Sequence, residues 1–239
     1  TAQVSAPLET RLLRSAPDLD RSVLRLALTA RSCAERYGES PSTRLTVIDY
    51  SLPSTRKRLW VFDLARGRLL HQELVAHGKN TGENHARHFS NRPGSLQTSI
   101  GLFRTADTYR GSNGYSLRLE GLEPGFNDKA MERAIVMHGA PYVDPRLSRT
   151  QGRIGRSWGC PAVRTGIARQ LIDTIKGGHF VFSYYPDQQW LKTSQFLNCD
   201  RAPHLARQSK SPSTAGTTRE ASQGTARQAT LVAARAKGP

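Results

Sequence analysis

Two hydrophobic periods divide this chain. Leu19, Val23, Leu26, Ala27 and Ala30 recur at helical spacing, with Ser15-Ala16-Pro17-Asp18 as a start signal and Gly38 as a stop. That pattern predicts one amphipathic helix packed by its apolar face on a sheet, behind a loose arm over residues 1–14. From Leu45 the period changes, and short β-rich runs take over. Strands are expected at 45–50, 58–63, 69–76, 99–105, 116–120, 134–138 and 179–184, separated by turns rich in Pro, Gly and Ser. One further helix is expected from Gly166 to Lys176, capped by Thr165, with Ile167, Leu171, Ile172 and Ile175 on one side. Many short strands and few helices predict a mainly β (α+β) fold, a sandwich or a barrel with flanking helices. After about Asp200 the periodicity stops and Ser, Thr, Ala, Gln and Arg dominate. A segment so poor in aromatic residues has too little apolar surface to fold alone. The expected organisation is therefore an arm and helix over 1–40, a main domain over 41–199 and a disordered basic tail over 200–239.

Charge narrows the surroundings. The 239 residues carry 35 Lys and Arg against 19 Asp and Glu, a formal net charge of +16. Such an excess calls for an acidic partner or setting, and leaves the fold undecided. The cations are mostly Arg spread along the whole chain, with no basic helix and no aromatic-interleaved strand, so nucleic acid is not the expected partner. A carboxylate-bearing wall polymer or an anionic membrane surface fits the charge, as does a simple compositional preference for Arg. No run of about 18 apolar residues occurs that would span a membrane. The chain opens on Thr1, and the expectation is an exported protein, periplasmic or beyond, whose signal peptide has been removed.

Candidate chemistry concentrates in Gly155-Arg156-Ser157-Trp158-Gly159-Cys160-Pro161-Ala162-Val163, a stretch too irregular to read as a buried strand. A thiol is a strong nucleophile only as thiolate, and a nearby imidazole is the usual means of making one. His138 stands upstream at the end of the apolar run Ala134-Ile135-Val136-Met137. Taken singly, a Cys is more often a small buried hydrophobe and a His a satisfied polar group. Glycine beside the cysteine changes that reading, since it lets a carbonyl approach and leaves amide N–H groups for an oxyanion. Three cysteines leave one unpaired if two bridge. With Cys160 free, a Cys33–Cys199 bridge would tie the domain's ends together and suit an oxidising compartment; two idle thiols are the alternative. His85-x-x-His88 has metal-ligand spacing without an evident third ligand, His77-Gly78 reads as a turn, and Ser90 and Ser95 lack a hydrolase elbow. No metal or organic cofactor is expected.

Ser-x-Gly-Cys with an upstream His-Gly resembles the catalytic signature of the L,D-transpeptidases, the YkuD-like enzymes that remodel peptidoglycan. The branch it resembles has Trp where most members carry a second His, and Asp49–Ser54, Lys57–Leu64, Val75–Lys79, Phe89–Asn91, Ser95–Gly101, Tyr115–Leu119 and Gly121–Glu123 continue the likeness. The resemblance implies a β-sandwich and a Cys160 thioester with a stem tetrapeptide, formed as D-Ala leaves and His138 relays the proton. An amine then takes the acyl group. It further implies that the Gly139 carbonyl orients His138, and that carbapenems acylate the thiol. Gly159 and Cys160 N–H groups are candidates for the oxyanion hole, Ser157 for bonding the imidazole or substrate, and Trp158 for the pocket wall. Tyr142, Arg156 and Arg153 are candidates to hold the stem peptide. One departure stands out: the usual polar residue two places after the cysteine is Ala162 here, with Arg164 as a possible substitute. Hydrolysis of wall peptides by the same thiol, and a non-catalytic wall-binding module, are the alternative functions.

Overall fold

The computed structural model describes residues 6–200, and the chain enters through two helices, α1 (Ala6–Ser15) and α2 (Arg21–Arg36). Part of the expected arm is thus helical. Leu12 is fully buried, Leu8 and Leu13 pack beside it, and buried Glu9 receives Arg21 and Arg25 of α2 at 2.8 and 3.0 Å. The second helix starts later than the Ser15 signal suggests. Ser15 closes α1, its hydroxyl donating to the Leu12 carbonyl, while Asp20 caps α2 by accepting from Ser22 and Val23 N–H. The basic tail, from residue 201 onward, lies outside the described residues, as do residues 1–5.

Nine strands follow: β1 (Arg44–Asp49), β2 (Leu59–Asp63), β3 (Arg68–Glu73), β4 (Val75–Ala76), β5 (Gly101–Gly111), β6 (Gly114–Gly121), β7 (Val136–Ala140), β8 (Ala162–Arg164) and β9 (Phe180–Tyr184). Helices α3 (Pro145–Gln151), α4 (Thr165–Ile175) and α5 (Gln188–Thr193) complete the described residues. All nine strands join one sheet in the order β3-β2-β1-β9-β5-β6-β7-β8-β4. The two ends of that order, β3 and β4, are separated in sequence by Leu74 alone. The edges therefore meet, and the sheet curls nearly closed. The mainly β, α+β class holds, with one curled sheet standing where a sandwich is expected.

Strand alternation explains the two larger cores. Leu45 and Val47 of β1, Trp60 and Phe62 of β2, and Phe180 and Phe182 of β9 pack under α2 with its Val23, Leu24, Ala27, Leu28 and Ala30. Their neighbours Ile48, Leu59, Val61 and Val181 face the other way, into a second core with Leu117, Met137 and Val163. Helix α4 enters that core through Ala168, Leu171, Ile172 and Ile175. Each such buried Leu, Ile or Phe contributes roughly 1.5–3 kcal/mol relative to exposure. Thr165 is the first residue of α4, and Arg164 occupies the cap position without a side-chain bond to the helix N-terminus.

Cys33 near the end of α2 is disulfide-bonded to Cys199 beyond α5, with Cα atoms 5.9 Å apart, which leaves Cys160 as the free thiol. The cross-link secures the turn at Cys199 against the helix that roofs the first core. Buried Glu123 ties the same region to the sheet, accepting from Leu102 N–H at 2.7 Å and Trp190 Nε1–H at 2.9 Å.

Candidate active site

Strand register brings the two expected reactive residues together. His138 on β7 pairs with Ser116 of β6 on one side and with Ala162 of β8 on the other. Residues 162–164 form strand β8, so the motif expected to be irregular throughout becomes regular just after Pro161. The reason is local. Proline at 161 offers no N–H, and pairing starts at the next residue. Gly139 lets β7 approach α4 closely: a Cβ there would lie 2.8 Å from Ala168 Cβ and 3.2 Å from Thr165 Cα.

Cys160 is half-buried and shares a cavity of about 470 Å³ with His138, Tyr142, Trp158 and Arg156. Its sulfur accepts from Val136 N–H at 3.5 Å and donates to the Ala134 carbonyl at 3.7 Å. His138 Nδ1 lies 3.0 Å from the Gly139 carbonyl. A carbonyl only accepts, so Nδ1 carries the proton and Nε2 keeps its lone pair. The thiol and imidazole thus face one space without a hydrogen bond between them. Such contacts commonly tighten only when substrate binds. Burial lowers the His138 pKa, against the raising effect of the Gly139 bond. Burial also raises that of Cys160, opposed by the Val136 N–H bond, the Arg133 charge and its own backbone N–H. Both shifts favour a resting pair of neutral thiol and neutral imidazole over a thiolate–imidazolium pair.

The loop carrying the thiol is built by Ser157. Its hydroxyl donates to the Cys160 carbonyl at 2.6 Å and accepts from Gly159 N–H at 3.1 Å. This corrects two expectations. Ser157 lines the cavity, but its hydroxyl bonds within the loop and not to the imidazole, and the Gly159 N–H is already engaged, leaving that of Cys160 as the oxyanion candidate. Gly159 has φ +126°, and a Cβ there would meet the Gln97 carbonyl at 2.8 Å. From below, Ser157 N–H donates to the His77 carbonyl at 2.9 Å and Lys79 N–H to the Ser157 carbonyl at 2.8 Å. His77 is therefore more than a turn residue. Its buried Nδ1 lies 2.7 Å from Arg58 Nη2, and Nε2 lies 3.2 Å from the Gly82 carbonyl. Arg58 always donates, so Nδ1 accepts and Nε2 carries the proton. Burial, then the Arg58 charge, push the His77 pKa down to about 4.

The expected substrate-binding residues divide. Trp158 is 74% exposed at the cavity, too open to be core packing. Tyr142 lines the cavity, its pKa pushed up to about 12 by burial and then by the Cys160 charge. Arg156 reaches the cavity but is bound to Glu83 at 2.7 Å and to the Lys79 and Gly82 carbonyls. Arg153 also pairs with Glu83, at 2.8 Å, and does not line the cavity. Both arginines therefore brace the 79–83 turn. Arg164 forks onto Glu73 at 2.6 and 2.8 Å, so it does not stand in for the polar residue replaced by Ala162. Tyr109, Ser112 and Asn113 of the β5–β6 hairpin and Arg133 also line the cavity. The Ser-Asn-Gly turn signals the hairpin in sequence, while nothing in sequence marks Arg133.

A protein-family model described as the L,D-transpeptidase catalytic domain matches residues 15–184. No curated protein matches the chain in sequence. Among solved structures, it is similar to an L,D-transpeptidase from Mycobacterium smegmatis, with TM-score 0.38 and 14% identity over 61% of this chain and 60% of that one. An L,D-transpeptidase from Mycobacterium tuberculosis H37Rv gives 0.37 and 17%, over 61% and 59%. L,D-transpeptidase 3 from Mycobacterium tuberculosis gives 0.36 and 17%, over 61% and 62%. The chain spans about three-fifths of the length of these structures.

Proposed function

Because the chain belongs to the L,D-transpeptidase catalytic-domain family, we propose that it transfers peptidoglycan stem-peptide acyl groups through a Cys160 thioester. The observation that supports this best is a free thiol opening on a cavity beside an imidazole whose Nδ1 is fixed by a backbone carbonyl. His138 Nε2 takes the thiol proton as the sulfur attacks the amide carbonyl ahead of terminal D-Ala. The Cys160 N–H faces the oxyanion that forms, a contact of a kind typically worth about 3 kcal/mol. His138 then gives its proton to the leaving amine, and the S–C bond remains as a thioester. An amine from a second stem peptide attacks that thioester, loses a proton to Nε2, and returns the thiol as the new amide forms.

Trp158 and Tyr142 are the cavity residues best placed to meet the donor peptide. The excess of positive charge suits an anionic wall or membrane surface as surroundings. The Cys33–Cys199 disulfide fits an oxidising compartment, and on this reading the protein works in the periplasm.

Incubation with defined disaccharide-tetrapeptides, followed by mass spectrometry, tests the proposal. Crosslinked dimers with released D-Ala are expected. Tripeptides alone would make the protein a thiol carboxypeptidase, and no turnover would leave a wall-binding module.

A further inference from the structure

Arg133 sits at the end of the turn that leads into β7, and its guanidinium is unusually constrained. Nη1 donates to the Ser90 carbonyl at 2.6 Å and to Ser99 Oγ at 2.5 Å. Nη2 donates to the Gln97 carbonyl at 2.6 Å and to Ser95 Oγ at 3.1 Å. All four Nη protons are thereby committed to one loop, and among the described residues no carboxylate pairs with this charge. Its placement is equally specific. Nη2 lies 3.4 Å from where a Cβ of Gly159 would stand, immediately before the nucleophile, and Arg133 lines the Cys160 cavity.

We propose that Arg133 is the fixed positive charge that makes the Cys160 thiolate accessible. The inference rests on Cys160 being the nucleophile. A fork with its Nη protons spent on Ser90, Ser95, Gln97 and Ser99 cannot also grip a substrate carboxylate bidentately, so what it offers the site is its field. The other groups facing the sulfur do not supply an equivalent charge. Tyr109 of the hairpin, Tyr142 and, from behind, Tyr50 are phenols and carry no positive charge; burial raises the pKa of both Tyr142 and Tyr50. Burial works against a charge on His138, and Arg156 is drawn into the 79–83 turn by Glu83 at 2.7 Å, a carboxylate it shares with Arg153. Burial works against ionisation of the thiol, and the opposing charge comes from Arg133. Arg133 is thus a positioning residue, acting through the sulfur without touching the reacting carbonyl.

The full-length, disulfide-intact protein offers a clean readout, because Cys160 is its free thiol. The rate of iodoacetamide alkylation is followed against pH by mass spectrometry for wild type, R133K and R133M. Loss of a neighbouring opposite charge should raise the R133M midpoint by about one pH unit and slow alkylation near neutrality about tenfold. R133K, which keeps the charge, should stay near the wild-type midpoint. Should R133M not fold, R133Q removes the charge while retaining donors for the loop. An unshifted midpoint on loss of the charge overturns the proposal, as does an equal rise in R133K, which would mean that loop shape alone matters. Alkylation is blind to muropeptide turnover, so this result and the transpeptidase assignment stand or fall separately.

Discussion

His138 lies directly across the β7–β8 ladder from Ala162, two residues past Cys160. The proposed base and nucleophile are thus held at one end of a parallel strand pair, and their approach is set by backbone pairing. Pro161 and the Ser157 hydroxyl govern how the chain leaves that ladder toward the thiol.

Removal of the sulfur separates chemistry from fold. C160A should abolish muropeptide turnover while its thermal midpoint stays close to that of wild type. A carbapenem should add its mass to wild type and leave C160A unmodified by intact-mass measurement. H138A should keep the thiol but lose roughly 10²–10⁴ in turnover, the usual range for a positioned acid–base group. Turnover persisting in C160A would remove this thiol from the mechanism.

The contact between β7 and α4 has no room for a methyl group. G139A is expected to cost about 1–3 kcal/mol by denaturant unfolding, because its Cβ would stand 2.8 Å from that of Ala168. Adding A168G removes one side of the clash and should recover part of the loss in a double-mutant cycle. Simple additivity of the two changes would show that they are not in contact.

His77 gives the support under the loop a pH dependence. Folded, it stays neutral down to about 4, whereas an unfolded imidazole takes up a proton below roughly 6.5. The unfolded state then binds more protons, so stability should fall as pH drops from 6.5 to about 4, by on the order of 3 kcal/mol. Above that window the contribution is fully present. Unfolding curves of H77N across these pH values should be flatter than those of wild type, and parallel curves would rule the imidazole out.

Reduction of Cys33–Cys199 frees a span of 166 residues. On a loop-closure basis the loss is about 4–5 kcal/mol. A C33S/C199S variant should unfold at lower denaturant, while its Cys160 alkylates at the wild-type rate. Iodoacetamide should label one cysteine in the native protein and three after denaturation and reduction.

Much of the architecture was legible because its signals are local. The near-continuous apolar runs of β2 and β9 mark strands buried on both faces, and the spacing of Leu171, Ile172 and Ile175 marks α4. What escaped is short or depends on distant partners. Helix α1 is stabilised by Leu12 in a core built later in the chain, and β8 is only three residues long. At the site, Cys160 and His138 could be found from a motif. Arg133 could not, since its importance arises from carbonyls and hydroxyls of the 90–99 loop that only folding brings beneath it. Arg153 and Arg156 misled for the same reason, as Glu83 claims both.

The one-residue step at Leu74 has a consequence for life among extended peptides. A strand margin with vacant amides is a template on which any passing chain can zip. Here one margin is stitched to Ser15 through Leu69 N–H, and the other is a two-residue stub. An extended chain arriving at this surface is thereby denied a docking rail along the sheet.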